Sequence, residues 1–349
     1  MSYRVDVQRL TVRCRVGGSA PPALADVSFA VEPGRVCGLF GREGAGKSTL
    51  LGCLAAYRRP SAGTVRVDGD DPFENARLMS GICLVDGRGG IGVDESTTVR
   101  EVLEIVALLR PRWDQAFADT LLDRFEVAAG AKVGQLARGR RAALAVTIAL
   151  ATRAPLTMLD EAHLDLEPAH QATFQRELRA EQAAHPRTII LAGATVGEGG
   201  DEDADGLDDT AGGLLDDVVL LGRGRVLATA RAAELRGLGR ELTGEADAVA
   251  ALVHSLSGDH VLSGGAAVDG GAVGDALVGA AVSGQAVAVV ADRRLGRLRS
   301  VVLAGPVPPD ALGAADRAGI SVSPVGLRRL VTCLTDDRLR SGEHRERTP

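Results

Sequence analysis

Gly41-Arg42-Glu43-Gly44-Ala45-Gly46-Lys47-Ser48-Thr49 fits the pattern G-x-x-x-x-G-K-[ST], with the short apolar run Val36 to Phe40 before it and a helical pattern from Ser48 to Tyr57 after it. A strand, a glycine-rich loop and a helix in that order make a phosphate cradle. Glycines at 41, 44 and 46 let successive backbone N–H groups turn inward around an anion, and the positive end of the helix dipole faces the same point. Lys47 then reaches the β and γ oxygens of a nucleotide, and the Ser48 hydroxyl is placed to ligand Mg2+. Lys47 and Lys132 are the only two lysines in a chain that otherwise uses arginine. That isolation marks Lys47 as chemically required.

The 349 residues around this loop leave room for two domains. The apolar fraction is 45% but aromatics make up only 3%, so the cores must be packed from Ala, Val and Leu. A net charge of −6 without a long basic run argues against nucleic acid as a partner. Five cysteines, at 14, 37, 53, 83 and 333, have neither C-x-x-C nor His-rich spacing, which speaks against zinc or a disulfide framework and fits reduced thiols in a cytosol. The N-terminus carries no signal-peptide pattern. The nearest approach to a membrane span, Val273 to Ala291, is interrupted by Asp275, Ser283 and Gln285, so a role at a membrane requires another chain to cross it.

Upstream of the loop, residues 1 to about 35 alternate in the β manner, as in Tyr3-Arg4-Val5-Asp6-Val7, and predict an antiparallel sheet. Downstream, Gly63 to Asp68 and Gly81 to Val85 read as strands, and Val99 to Leu109 and Trp113 to Phe125 as helices within a helical block ending near Thr152. Strands at Leu156 to Leu159, Thr188 to Leu191, Val218 to Leu221 and Arg225 to Ala228, with a helix from Pro168, predict a largely parallel α/β sheet. Between Gly197 and Asp217 stand nine acidic and no basic residues. Asp201, Asp203, Asp205 and Gly206 imitate half of a calcium loop, but Gly212 occupies the position of the bidentate Glu, so the stretch reads as a solvated insertion. Beyond Arg240, helices at Ala246 to Leu256, Pro309 to Ala318 and Gly326 to Leu334 and strands at Ala286 to Val290 and Ser300 to Ala304 predict a small α+β domain before a charged tail from Arg338.

A second chemical feature is Leu156-Thr157-Met158-Leu159-Asp160-Glu161. An apolar strand ending in Asp160 offers a carboxylate to Mg2+ or its water, and Glu161 directly after it is placed to polarise an attacking water.

At these residues the chain resembles the ATP-binding subunits of ABC transporters, over about residues 5 to 235. Ala25 to Leu51, ADVSFAVEPGRVCGLFGREGAGKSTLL, is close to that family's wording. The C-terminal region ending in Val325-Gly326-Leu327-Arg328-Arg329-Leu330 is similar to the accessory domain of drug- and bacteriocin-type exporters. The resemblance implies a P-loop ABC ATPase core, with an antiparallel β subdomain and a helical subdomain, followed by a small α+β domain. It places the core at 1–238 (helical subdomain 88–152, acidic insertion 197–217), the accessory domain at 239–337 and the tail at 338–349. It implies ATP and Mg2+ as cofactors: Gly41 to Thr49 with Arg138 and Gly139 on the nucleotide, Ser48 and Asp160 on the metal, and Glu161 as the catalytic base. It also implies a homodimer or heterodimer with another ATP-binding subunit, bound to separate transmembrane permease subunits on the cytoplasmic face of the membrane.

Several family elements are altered. The signature, usually LSGGQ, aligns with Leu136-Ala137-Arg138-Gly139-Arg140, and Ala137 lacks the hydroxyl that donates to a partner's γ-phosphate. Asp86 replaces the lid glutamine, Ala194 the switch histidine, and Glu167 an aspartate. No aromatic for adenine stands in Leu10 to Val16, and Tyr3 lies too far upstream. A lost charge-assisted hydrogen bond costs about 1.5 to 3 kcal/mol. Groups that position the water or the γ-phosphate are worth about 10² to 10⁴ in rate. Turnover is therefore expected to suffer more than binding, unless Arg138 and Arg140 supply charge to the phosphate and Arg13 or Arg15 stacks on adenine. The expectation is an exporter ATPase of reduced turnover. The alternatives are a non-catalytic partner of a second ATPase or a soluble, non-transport ABC ATPase.

Overall fold

A computed structural model describes residues 2–13, 21–86, 94–194, 213–256 and 278–335. The aspartates of the acidic stretch up to Asp209, the tail from Arg338 and the start of the expected helical block at 88–93 lie outside the described residues.

Strand β3 (Val36–Gly41) is buried along its whole length, as expected of a strand covered on both faces. It lies between β7 (Thr188–Ala194) and β8 (Asp217–Gly222) and runs parallel to both. With β5 (Ile82–Asp86), β6 (Leu156–Asp160) and β9 (Arg225–Arg231) they form a six-stranded sheet of order β5-β6-β7-β3-β8-β9. Because β3, β5, β6 and β7 are parallel, their carboxyl ends open on one edge, where ligands of such sheets bind. Register brings Asp86 level with Asp160, Asp160 level with Ala192, and Gly41 level with Ala194.

A second, antiparallel sheet of order β2-β1-β4 is built from β1 (Val5–Val12), β2 (Leu24–Val31) and β4 (Ala62–Val67). Its inward residues Val5, Leu10, Val27 and Val31 share one core with Leu50, Leu51 and Leu54 of helix α1 (Lys47–Leu54) and with Leu39, Met158 and Ile190 of the parallel sheet. Each fully buried leucine contributes about 1.5 to 3 kcal/mol, so α1, and the loop that opens it, is clamped between the two sheets.

The short helix α2 (Ala76–Met79) precedes β5; beyond β5, helix α3 (Val99–Leu109) starts at a reciprocal capping box between Thr98 and Glu101, and α4 (Gln115–Arg124) at the Asp114 side chain. Helix α5 (Arg138–Ala151) is buried without interruption from Ala142 to Ala151 and packs against α4, β5 and β6. Its alanine-rich sequence allows that approach and accounts for an apolar pattern on all sides. Helix α6 (Pro168–Ala184) is tied to the end of α5 by an ion network. The buried Arg187 lies 3.2 Å from Glu181 and donates to the Leu150 carbonyl at 3.1 Å, while Glu181 also holds Arg153 at 3.0 Å.

The described residues divide into two compact units, with the break inside β9 at Val226/Leu227. The boundary expected from the sequence is 238/239. The second unit takes in α7 (Ala232–Leu238), which packs on helix Leu327–Leu334 of the same unit. The rest of it alternates β10 (Gly239–Glu245), α8 (Ala246–Leu256), β11 (Ala288–Leu295), β12 (Leu298–Ala304), helix Pro309–Arg317 and β13 (Ser321–Pro324). The sheet is antiparallel, of order β11-β12-β10-β13, which is the β-α-β-β-α-β arrangement of ferredoxin-like units. Leu242, Val301 and Leu303 pack with Val249, Leu252, Ala315 and Ile320 to form its core. Strands β10 and β13 and helix α7 fall where the sequence pattern predicts no element. In β10 the alternation is carried by Leu242 between two glycines, and β13 is a short strand ending in proline, so neither shows a readable period.

Candidate nucleotide site

The loop between β3 and α1 takes its shape from its glycines. Gly46 caps α1 at φ 103°, a left-handed value, and a Cβ on it would lie 2.8 Å from the Ala23 carbonyl. A Cβ on Gly41 would come within 2.5 Å of the Leu221 carbonyl oxygen. These contacts hold the loop against β8 and the start of β2. Ala45 is buried, its N–H donating to the Arg42 carbonyl at 3.1 Å, while Arg42, Glu43, Gly44 and Ser48 are exposed at the mouth and Thr49 is half-buried.

Lys47 is only 5% exposed. Its Nζ donates to the Gly41 carbonyl at 2.8 Å and the Arg42 carbonyl at 3.2 Å, and lies 3.2 Å from Glu161 Oε1. The lysine therefore spans from the loop to the end of β6. Glu161 adopts φ 61°, uncommon for a residue with a side chain. Its N–H donates to the Ala192 carbonyl and its own carbonyl accepts from the Leu164 N–H, both at 3.0 Å.

Burial pushes the Asp160 carboxyl up from its ordinary value; the Ser48 hydrogen bond pulls it down, Glu161 and Asp86 push it up further, and Lys47 opposes them. Its Oδ1 is buried and has no hydrogen-bond partner among the described residues. A serine hydroxyl beside a carboxylate with a spare buried oxygen is a hard donor set that fits Mg2+, which keeps several waters and takes few protein ligands. Asp86 adds negative charge at the same strand edge, in register with Asp160.

Arg138 and Gly139 stand at the start of α5, against the segment that follows Glu161. Arg138 Nη2 lies 2.7 Å from Asp165 Oδ1, and a Cβ on Gly139 would meet Glu167 Cγ at 3.2 Å. Arg140 donates to the Phe125 carbonyl and to Glu126, so both arginines read as able to reach a phosphate are engaged within the chain. Tyr3 is core, packed over Gly81. Arg15 lies outside the described residues.

His163, which no sequence motif singles out, lies two residues after Glu161. Its ring is buried 5.7 Å from Phe174, and neither nitrogen has a hydrogen-bond partner among the described residues. Burial pushes its pKa down from 6.5 to about 4. The unfolded chain binds this proton more readily, so the contribution to stability is complete above about 6.5 and is lost as pH falls toward 4. His163→Leu is expected to remove an acid-limb loss on the order of 2 to 3 kcal/mol, read as the difference between urea unfolding curves at pH 7 and pH 4.5.

The ABC transporter family model matches residues 24–163. The chain is 30% identical over 222 residues to a probable anion import ATP-binding protein of Haloferax volcanii, covering 52% of this chain and 76% of that one. It is 32% identical over 242 residues to the daunorubicin resistance ATP-binding protein DrrA3 of Streptomyces coeruleorubidus, covering 62% and 74%. A putative ABC transporter ATP-binding protein of Streptomyces avermitilis is 34% identical over 217 residues, but the match spans only 36% of it. Among solved structures, the ATP-binding subunit of an ABC transporter superposes with a TM-score of 0.53 at 22% identity, covering 66% of this chain and 91% of that one. A dimeric ATP-binding cassette with ADP and Pi bound gives 0.53 at 18%, covering 65% and 98%. The fold is that of the P-loop ABC ATPases, and the chain belongs to the ATP-binding proteins of the ABC transporters. ATP is therefore the nucleotide of the family to which the chain belongs. No described helix is long and apolar enough to cross a membrane.

Proposed function

We propose that this chain is the ATP-binding subunit of an exporter, that it closes head to tail with a second ATP-binding subunit, and that it hydrolyses ATP slowly. The convergence of Lys47, Ser48, Asp160 and Glu161 on one loop carries the reading. The loop N–H groups and Lys47 would hold the phosphates, Ser48 and Asp160 would hold Mg2+, and Glu161 would take a proton from the attacking water. Mg2+ bound there would neutralise charge on the phosphate oxygens. Glu161 is exposed enough at 44% to meet a water while its Oε1 lies 3.2 Å from the Lys47 ammonium.

The export direction draws on the similarity to the daunorubicin resistance protein and on the small second unit after the core. Membrane-spanning partners would come from separate chains and place this one on the cytoplasmic face. A docking face for them is at hand on α3, where Ile105, Leu108 and Leu109 share one side of the helix and are 44%, 87% and 68% exposed.

Slow turnover rests on Ala137. It caps α5 without a side-chain hydrogen bond and brings no hydroxyl to a partner's γ-phosphate. Ala137→Ser is expected to raise turnover about tenfold, the worth of one charge-assisted hydrogen bond at the lower end of about 1.5 to 3 kcal/mol. Because serine also caps the helix, worth about 1 kcal/mol, the steady-state ATPase assay is paired with a thermal melt. A parent turnover above about 1 s⁻¹, a common enzymatic floor, would overturn the slow reading. The intrachain bonds of Arg138 and Arg140 favour a second reading, a subunit that serves a more complete ATPase in an asymmetric dimer. Co-purification with a second ATPase, and ATP affinity without turnover, would select it.

A further inference from the structure

We propose that Asp165 holds Arg138 in the free chain and yields it to the γ-phosphate of ATP bound by the facing subunit, so that this ion pair is a latch opposing dimer closure. The idea rests on the head-to-tail dimer proposed above. Its two partners are unlike. The Asp165 side chain is 16% exposed, whereas that of Arg138 is 82% exposed, so one end is anchored and the other is free to swing.

The anchored end sits on the segment Glu161–Glu167, which is packed onto α5. A Cβ on Gly139 would lie 3.2 Å from Glu167 Cγ and 3.5 Å from the Asp165 carbonyl oxygen. The first turn of α5 has no acidic residue of its own, and Asp165 supplies an anion there from the neighbouring segment. A guanidinium binds carboxylate and phosphate through the same planar fork, so an arriving γ-phosphate competes with Asp165 for one cation. Arg140 is already committed to the Phe125 carbonyl and Glu126, which leaves Arg138 as the arginine of this turn with an outward-reaching side chain. The segment that bears Asp165 also starts at Glu161, whose carbonyl accepts from Leu164 at 3.0 Å. Latch and water-facing carboxylate therefore share one short stretch of backbone.

An exposed arginine–carboxylate pair shifts an equilibrium by about two- to fivefold, and two such latches in a symmetric dimer multiply to about four- to twenty-five-fold. The test uses the full chain carrying Glu161→Gln, so that ATP persists, with Asp165→Asn or Arg138→Gln added. Self-association in ATP and Mg2+ is followed by sedimentation velocity, and ATP binding by calorimetry. Asp165→Asn is expected to tighten association by the factor above, and Arg138→Gln to weaken it. A brace that merely held the fold would make both changes weaken the dimer alike and lower the melting temperature, which would overturn the latch. So would unchanged association of the Asn variant, or absence of association in all three proteins, while ATP still binds. Loss of ATP binding by the Glu161→Gln parent would instead bring down the proposed function, and the latch with it.

Discussion

Replacing Lys47 with alanine is expected to lower ATP affinity by about a hundredfold or more. The ammonium is desolvated before any nucleotide arrives, being 5% exposed and held by the Gly41 and Arg42 carbonyls. Little ordering cost then remains when phosphate oxygens take over its donors. Two charge-assisted hydrogen bonds at about 1.5 to 3 kcal/mol each give about 3 to 6 kcal/mol, of which desolvation of the phosphates returns a part. The alanine also leaves two carbonyls and Glu161 without their cation, so the loop itself should loosen. Calorimetric titration with ATP and Mg2+ measures the first effect and a thermal melt the second. Binding within threefold of the parent would remove Lys47 from the phosphate site.

Glu161→Gln is expected to slow hydrolysis by about 10² to 10⁴ while leaving ATP bound. The amide is the same size and keeps an oxygen toward Lys47, but it accepts a proton poorly. The backbone at φ 61° is held by the Ala192 and Leu164 hydrogen bonds, which the substitution does not touch. The result should therefore be a loss of chemistry rather than of fold. Single-turnover hydrolysis at saturating ATP separates the two, since it reports neither product release nor affinity. If the variant hydrolyses within threefold of the parent, Glu161 is not the base.

The core was largely legible because its signals are local. The strand Val36–Gly41, its glycine turns and the helix from Lys47 are neighbours in sequence, and the strand ending Asp160-Glu161 is a continuous apolar run closed by acids. Helical spacing likewise exposed α3 and α4. The second unit was less legible. Its strands β10 and β13 pair with each other across the chain yet carry few aliphatic residues, so the sheet is specified by partners distant in sequence.

Residue type and spacing by themselves lead to the reading of a phosphate-binding loop served by Lys47, Ser48, Asp160 and Glu161, and of a signature segment with alanine, not serine, at 137. Tertiary structure alone decided how those groups meet. It buried Lys47 against Glu161, left Asp160 with an oxygen that has no partner among the described residues, beside Ser48, and set Asp86 level with Asp160. It also turned Arg138, read from sequence as a ligand of the partner's phosphate, onto Asp165 of its own chain. The reason is that charge and hydrogen-bonding groups act over a few ångströms in space, and residues 138 and 165 become neighbours only when α5 packs against the sheet from which Glu161 emerges.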